Sequence, residues 1–250
     1  VSQLSGTLSV DSTLGEGTTF ALTIPIEQPT PGSVVTEMQA KLDASHKQSL
    51  AYARDIRTLY EKLQQHFIET LHAITEALEA RDDYLRGHTE RVTQLALDIG
   101  REMDLSAQQL ESLELGSRVH DIGKIGMPDA VLYEADGLPD REYAIRYHVD
   151  RGEQILSPLE FLEDALPIAL SHHARFDGQG YPDGLSGLDI PLGGRILAVA
   201  NDFDIMTSPR PHRTPLPREE ALATIRAGAG SEWDPDVVQA FLKVMDRSDA

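Results

Sequence analysis

Cysteine is absent from all 250 residues of the chain. Disulfides and thiolate-bound metals are therefore excluded, and a reducing compartment fits, so this segment is expected to be cytoplasmic. No run of about 18 consecutive apolar residues occurs, so no part of the chain reads as a membrane span. The opening VSQLSGTLSV has neither a basic start nor an apolar block and does not read as a signal peptide. Basic residues are scarce: 22 Lys and Arg stand against 41 Asp and Glu, a formal net charge of -19. Such a surface repels nucleic acid polymers, which are held mainly through phosphate contacts from Lys and Arg. An anionic substrate would need local cations, bound metal or an arginine cluster, to overcome the global field. Internal repeats and low-complexity tracts are also missing.

What is present falls into segments. Residues 1–28 read as a β-hairpin: GTLSV alternates, and TTFALTIPI places Phe20, Leu22, Ile24 and Ile26 on one face, with STLGEG as the turn. The stretch EQPTPGS marks a linker, taken as residues 29–34. Residues 35–80 contain no Pro or Gly and read as one long helix. Met38, Leu42, Tyr52, Ile56, Leu59 and Leu63 follow a three-four spacing, with Ser45 and Ser49 filling two seam positions. The step then changes to four and four, through Phe67 to Leu71, which is a stutter. Two readings stay open for this helix: a parallel dimeric coiled coil relaying an upstream signal, or a long helix packed on its own domain. From residue 81 to 250 short helical patterns alternate with Gly- and Pro-bearing loops, so the fold class is mainly α.

The nine histidines are unevenly distributed. His88 lies in DDYLRGHTERV, His120 and Asp121 in RVHDIGKIGMPD, His148 in IRYHVDRGEQIL, and His172 and His173 in SHHARFDGQGYPDGLSG. Imidazole with carboxylate is a ligand set for zinc, iron, manganese and nickel. Five histidines and one aspartate exceed what one metal needs, which points to two. A lone histidine beside an apolar run is more often a satisfied core residue, so the joint pattern carries the inference.

These segments resemble the HD-GYP family, a branch of the HD-domain metal-dependent phosphohydrolases. The resemblance runs from about residue 66 to residue 245 and includes HDIGKIGMPDAVL, HHARFDGQGYPDGLSGLDIPLGGRILAVA, DIMTSPRPHR and EWDPDVVQAFL in matching order. It implies an HD-domain helical bundle that hydrolyses the bacterial second messenger cyclic di-GMP to linear pGpG, with the further step to GMP left open. It also implies two divalent ions, iron or manganese ahead of nickel or zinc. The implied metal ligands are His88, His120, Asp121, His148, His172, His173 and Asn201, with Asp121 and a water bridging the ions. Lys124 matches a lysine that contacts the bridge or the scissile phosphate. Asp82, Gly180, Tyr181, Pro182, Arg210 and Arg213 match residues that line or hold the substrate. The hairpin resembles the closing strands of sensor histidine kinase ATPase domains, as a remnant without the ATP-holding loops. That implies an upstream sensor kinase module, and the coiled-coil reading of the long helix implies a homodimer through it.

The chain departs from the family pattern at three positions. Asn201 stands where an aspartate ligand is usual and brings no charge. Asp202 is no ready replacement, because adjacent helical positions point about 100° apart. Ala174 replaces the glutamate that usually follows the histidine pair, and Tyr84 occupies the place of an extra carboxylate in trinuclear members. Two functions follow as alternatives: an active phosphodiesterase, or an attenuated module acting as a cyclic di-GMP receptor or protein-interaction scaffold.

Overall fold

The computed structural model describes residues 7–13, 15, 17–24, 31–80, 86–127, 141–181, 184–209 and 214–248. It divides into two units, residues 1–61 and 62–250.

In the first unit, β1 (Thr7–Thr13) and β2 (Gly17–Thr23) pair antiparallel. Val10 pairs with Phe20 and Leu8 with Leu22, so the apolar set of β2 lies on one face as the alternation requires. Ile26 lies outside the described residues. Helix α1 (Pro31–Glu79) starts inside the stretch expected to be linker. Proline is well suited to the first helical position, where its missing N–H costs nothing and its fixed φ is already helical. Surface pairs Glu37–Lys41 and Arg57–Glu61 support the exposed helix at i,i+4 spacing. Met38, Leu42, Tyr52, Ile56 and Leu59 are all exposed.

The second unit begins with the last turns of α1 and continues with seven further described α-helices. These are α2 (His88–Glu102), α3 (Ala107–Val119), α4 (Arg141–Leu156), α5 (Leu166–Leu170), α6 (Leu192–Thr207), α7 (Arg218–Ala227) and α8 (Pro235–Ser248). A 3-10 turn, Ile122–Gly126, separates α3 from α4. The start of α3 is fixed by a reciprocal capping box between Ser106 and Gln109.

Two apolar cores hold this unit. The larger one joins Val92, Ala96 and Ile99 of α2 to Ile196, Leu197 and Val199 of α6, and to Ile225 and Phe241 of α7 and α8. The smaller joins Leu71 of α1 to Val119, Ile122, Leu156, Leu162, Ala165 and Ala169, with Ile74 and Leu78 packed against it. Each fully buried Leu, Ile, Val or Phe contributes about 1.5–3 kcal/mol. The cores therefore fix the ends of α2, α3 and α5, where the polar residues of the next section are placed. No described helix is long and apolar enough to cross a membrane.

Candidate metal centre

His88 is the first residue of α2 and is buried. Its Nδ1 lies 2.7 Å from Oδ2 of Asp204, on α6. Arg91, one turn further along α2, donates to both oxygens of the same carboxylate at 2.6 and 3.0 Å. Burial opposes ionisation of Asp204, but the bonds from His88 and Arg91 outweigh it and hold the carboxyl at about 2. An ionised Asp204 keeps the His88 proton on Nδ1 and leaves Nε2 as a lone pair, the usual way a carboxylate fixes a ligating imidazole.

His120 caps the end of α3, and its Nδ1 donates to the Ser117 carbonyl at 2.7 Å. Its Nε2 is then also a lone pair, buried without a hydrogen-bond partner. Asp121 follows directly, and Lys124, on the 3-10 turn, pairs with it. Gly123 lets this turn lie flat against α4: a Cβ there would come within 1.8 Å of the His148 carbonyl oxygen. His148 is buried in α4, while His172 and His173 sit in the turn after α5. His172 Nδ1 donates to the Ala169 carbonyl at 2.5 Å, and its Nε2 faces His148 Nε2 at 3.3 Å.

Two groups of candidate ligands emerge among the described residues: His88, His120 and Asp121, and His148, His172 and His173. Within each group one ligand atom per residue lies within 4.8 Å of the others. Asp121 faces both. Its Oδ2 is 3.8 Å from His88 Nε2 and 3.4 Å from His120 Nε2, while its Oδ1 is 3.6 Å from His148 Nε2. The carboxylate is thus placed to share its two oxygens between the groups. His120 and His172 are linked across the site by ring centroids 4.9 Å apart.

The electrostatics suit cation binding. Burial pushes His172 and His173 well below the usual imidazole range, and neighbouring imidazoles push the same way. Burial lowers His120 too. Neutral imidazole is the ligating form. Burial works against a charged Asp121, yet Lys124 and the surrounding histidines overcome it and hold the carboxyl well below its ordinary value. Lys124 makes the largest of these favourable contributions. Convergent lone pairs, an anionic carboxylate and an orphaned buried nitrogen on His120 together fit a divalent metal.

The loop after the histidine pair folds back over it. Tyr181 donates its backbone N–H to the His173 carbonyl at 3.2 Å, and its ring lies 4.9 Å from the His173 ring. Gly180 makes this possible, since a Cβ there would sit 2.3 Å from Arg175 N and 2.5 Å from His173 O. The loop is anchored to the turn before α8 by Phe176 N–H to Glu232 O and Asp177 N–H to Ser231 O. Arg146 of α4 lies over the Tyr181 ring at 5.7 Å, a cation–π distance.

The six histidine and aspartate ligands expected from sequence therefore come together, with Lys124, Gly180 and Tyr181 beside them. Asn201 is buried on α6, and its amide faces Asp202 at 3.5 Å. The Asp202 carboxylate accepts the Trp233 indole N–H at 2.9 Å, which holds it to that partner. Asp82, Tyr84, Pro182, Arg210 and Arg213 lie outside the described residues. The sequence reading missed Asp204 and Arg91. Asp204 stands three residues after Asn201 on the otherwise apolar face of α6, and an acid in that setting is a signal of a buried partner.

Comparison with known proteins points the same way. A model of the HD domain matches residues 72–237. Over 195 residues the chain is 40% identical to a cyclic di-GMP phosphodiesterase of Thermotoga maritima, covering 77% of this chain and 52% of that protein. It is 32% identical to a cyclic di-GMP phosphodiesterase response regulator of Xanthomonas campestris pv. campestris, covering 84% and 57%. A 3'3'-cGAMP-specific phosphodiesterase of Vibrio cholerae is 29% identical, covering 85% and 41%. The chain spans about half the length of the curated relatives it matches. Among solved structures, a cyclic GMP-AMP specific phosphodiesterase of Vibrio cholerae superposes with a TM-score of 0.59 at 22% identity, covering 73% of this chain and 49% of that one. That likeness concerns the fold.

Proposed function

The chain belongs to the HD-domain family, in its HD-GYP branch, and from that premise we propose that it is a metal-dependent phosphodiesterase acting on cyclic di-GMP. Linear pGpG is the first product, with GMP as the further one. The observation that carries this reading is Asp121, whose two oxygens face two separate groups of buried imidazoles.

His88 and His120 would hold one divalent ion and His148, His172 and His173 a second, with Asp121 shared between them. Asn201 would add a neutral amide oxygen to one of the pair. Iron and manganese suit this ligand set, and nickel and zinc use the same donors. Bound ions supply Lewis-acid charge for the phosphodiester and a nucleophile at neutral pH. The chain's own residues orient and shield. Lys124 steadies the Asp121 carboxylate and adds positive charge where the phosphate gains negative charge. Asp204 fixes the His88 tautomer. Tyr181 offers a ring against which a guanine stacks, and Pro182 follows it in the same signature triplet. Arg210 and Arg213 suit the substrate phosphates because a guanidinium donates twice to one of them, and Asp82 lies in sequence near His88.

The long helix would act as input. Its seam of Met38, Leu42, Tyr52, Ile56 and Leu59 is exposed in the single chain, which favours pairing with a second copy and a signal arriving from an upstream sensor kinase module.

The test is direct. Protein loaded anaerobically with Fe²⁺, or with Mn²⁺, is incubated separately with cyclic di-GMP and 3'3'-cGAMP, and products are resolved by chromatography. Formation of pGpG that stops on chelation is expected. Faster opening of 3'3'-cGAMP would overturn the substrate assignment, and no product from either would overturn the reaction.

A further inference from the structure

We propose that Glu79 is a positioning residue that ties the last turn of α1 to His88, so that displacement of α1 is converted into a change of ligand geometry. The proposal rests on reading His88 as a metal ligand.

The N-terminus of α2 has no side-chain cap of its own. Its N-cap is Gly87, at φ 71, which brings no side-chain acceptor. The first N–H groups of a helix have no partners within it and must find them elsewhere. Glu79 supplies them from the preceding helix. Its Oε2 accepts the Gly87 N–H at 2.9 Å, and its Oε1 accepts the Thr89 N–H at 2.6 Å. The two bonds bracket His88, one on each side. Glu79 and Thr89 are both buried, so water does not readily replace a bond that breaks. A carboxylate also complements the positive end of the α2 dipole.

The same end of α1 rests on the remaining ligands. Leu71, with Ile74 and Leu78, packs in the core that contains Val119, Ile122 and Ala169. Val119 precedes His120, Ile122 follows Asp121, and the Ala169 carbonyl accepts the hydrogen bond from His172 Nδ1. One face of α1 therefore bears on the platform of His120, Asp121 and His172, while its terminal carboxylate grips the backbone on both sides of His88. A rotation or slide of the last turn moves His88 Nε2 relative to Asp121 Oδ2, which stand 3.8 Å apart. An acid used only for solvation would be exposed and would not accept from two backbone N–H groups, one with each oxygen.

The experiment is a double-mutant cycle on Co²⁺ binding to the full chain, followed by equilibrium dialysis and the visible d–d spectrum. The four proteins are wild type, E79Q, H88A and E79Q/H88A. E79Q keeps the size of the side chain, and its single amide oxygen can hold only one of the two N–H groups. E79Q is expected to weaken Co²⁺ binding by about tenfold or more and to alter the spectrum, and to add nothing further in the H88A background. Equal losses in both backgrounds would mark Glu79 as merely structural and overturn the proposal, as would wild-type binding by E79Q. H88A binding Co²⁺ like wild type would instead overturn His88 as a ligand, and the proposal with it.

Discussion

Substituting Gly123 by alanine should disable the proposed metal centre without replacing any candidate ligand. The new Cβ would stand 1.8 Å from the His148 carbonyl oxygen and 2.6 Å from Gly152 N. Ordinary contact begins at 3.4 Å, so the 3-10 turn and α4 must separate by about 1.6 Å. Both opposing atoms belong to backbone and cannot swing away. The turn carries Lys124 and follows Asp121, while α4 carries His148, so the 3.6 Å between Asp121 Oδ1 and His148 Nε2 would widen with it. Misplacement by about 1 Å costs on the order of 100-fold in rate, or about 2.7 kcal/mol in the barrier. Overpacking should also lower stability by about 1–3 kcal/mol. The matched control is G126A on the same turn, where the nearest atoms to the new Cβ are 3.8 Å away. Turnover of cyclic di-GMP and Mn²⁺ content are measured for both, with thermal melts to show that each is folded. Wild-type turnover and metal content in G123A would refute the packing argument.

Asp204→Asn removes the charge that fixes the His88 tautomer, and metal affinity should fall by about 10–100-fold, as read by dialysis. The same residue sets an acid limit for the metal-free protein. Its carboxyl is held at about 2, below the ordinary 3.8, so its stabilisation is complete above about pH 4 and is lost as pH falls toward 2. Up to about 2 kcal/mol should disappear across that window in chemical unfolding, and D204N should flatten the profile. Gly180→Ala pushes the Tyr181 loop off the His173 carbonyl and should raise KM severalfold while metal content stays unchanged, which steady-state kinetics with metal analysis will separate. Asn201→Asp restores a charged oxygen donor and should tighten Mn²⁺ binding and raise turnover, whereas an unchanged or weaker variant would show that Asn201 does not face the ions.

The candidate ligands were legible in the sequence because each sits in a stretch whose local structure is also encoded. His120 and Asp121 fall where α3 runs into a glycine-bearing turn, and His172 and His173 fall in the turn after α5, where no helix can hide their rings. The apolar alternation of β2 and the helical run of α1 were equally readable, since both depend on local pattern alone. Pro31 was read as linker, although proline is as much at home in the first helical turn as between domains, and local composition does not choose between the two. Asp204, Arg91 and Glu79 were not legible. Each is an ordinary charged residue on a helix, and its role comes from partners 113, 116 or 8 and 10 residues away in the chain. Tertiary packing creates such pairs, and only Asp204, an acid on the buried face of α6, carries any local signal of one.

The proposed activity depends on Asp121 serving both histidine groups, with one cation held at each. Metal content per chain, measured by mass spectrometry after loading with Mn²⁺ and removal of free ion, tests this most directly in wild type and D121A. Two ions in wild type, falling below one in D121A, is the predicted result. Wild type without bound metal, or D121A retaining both ions, would contradict it.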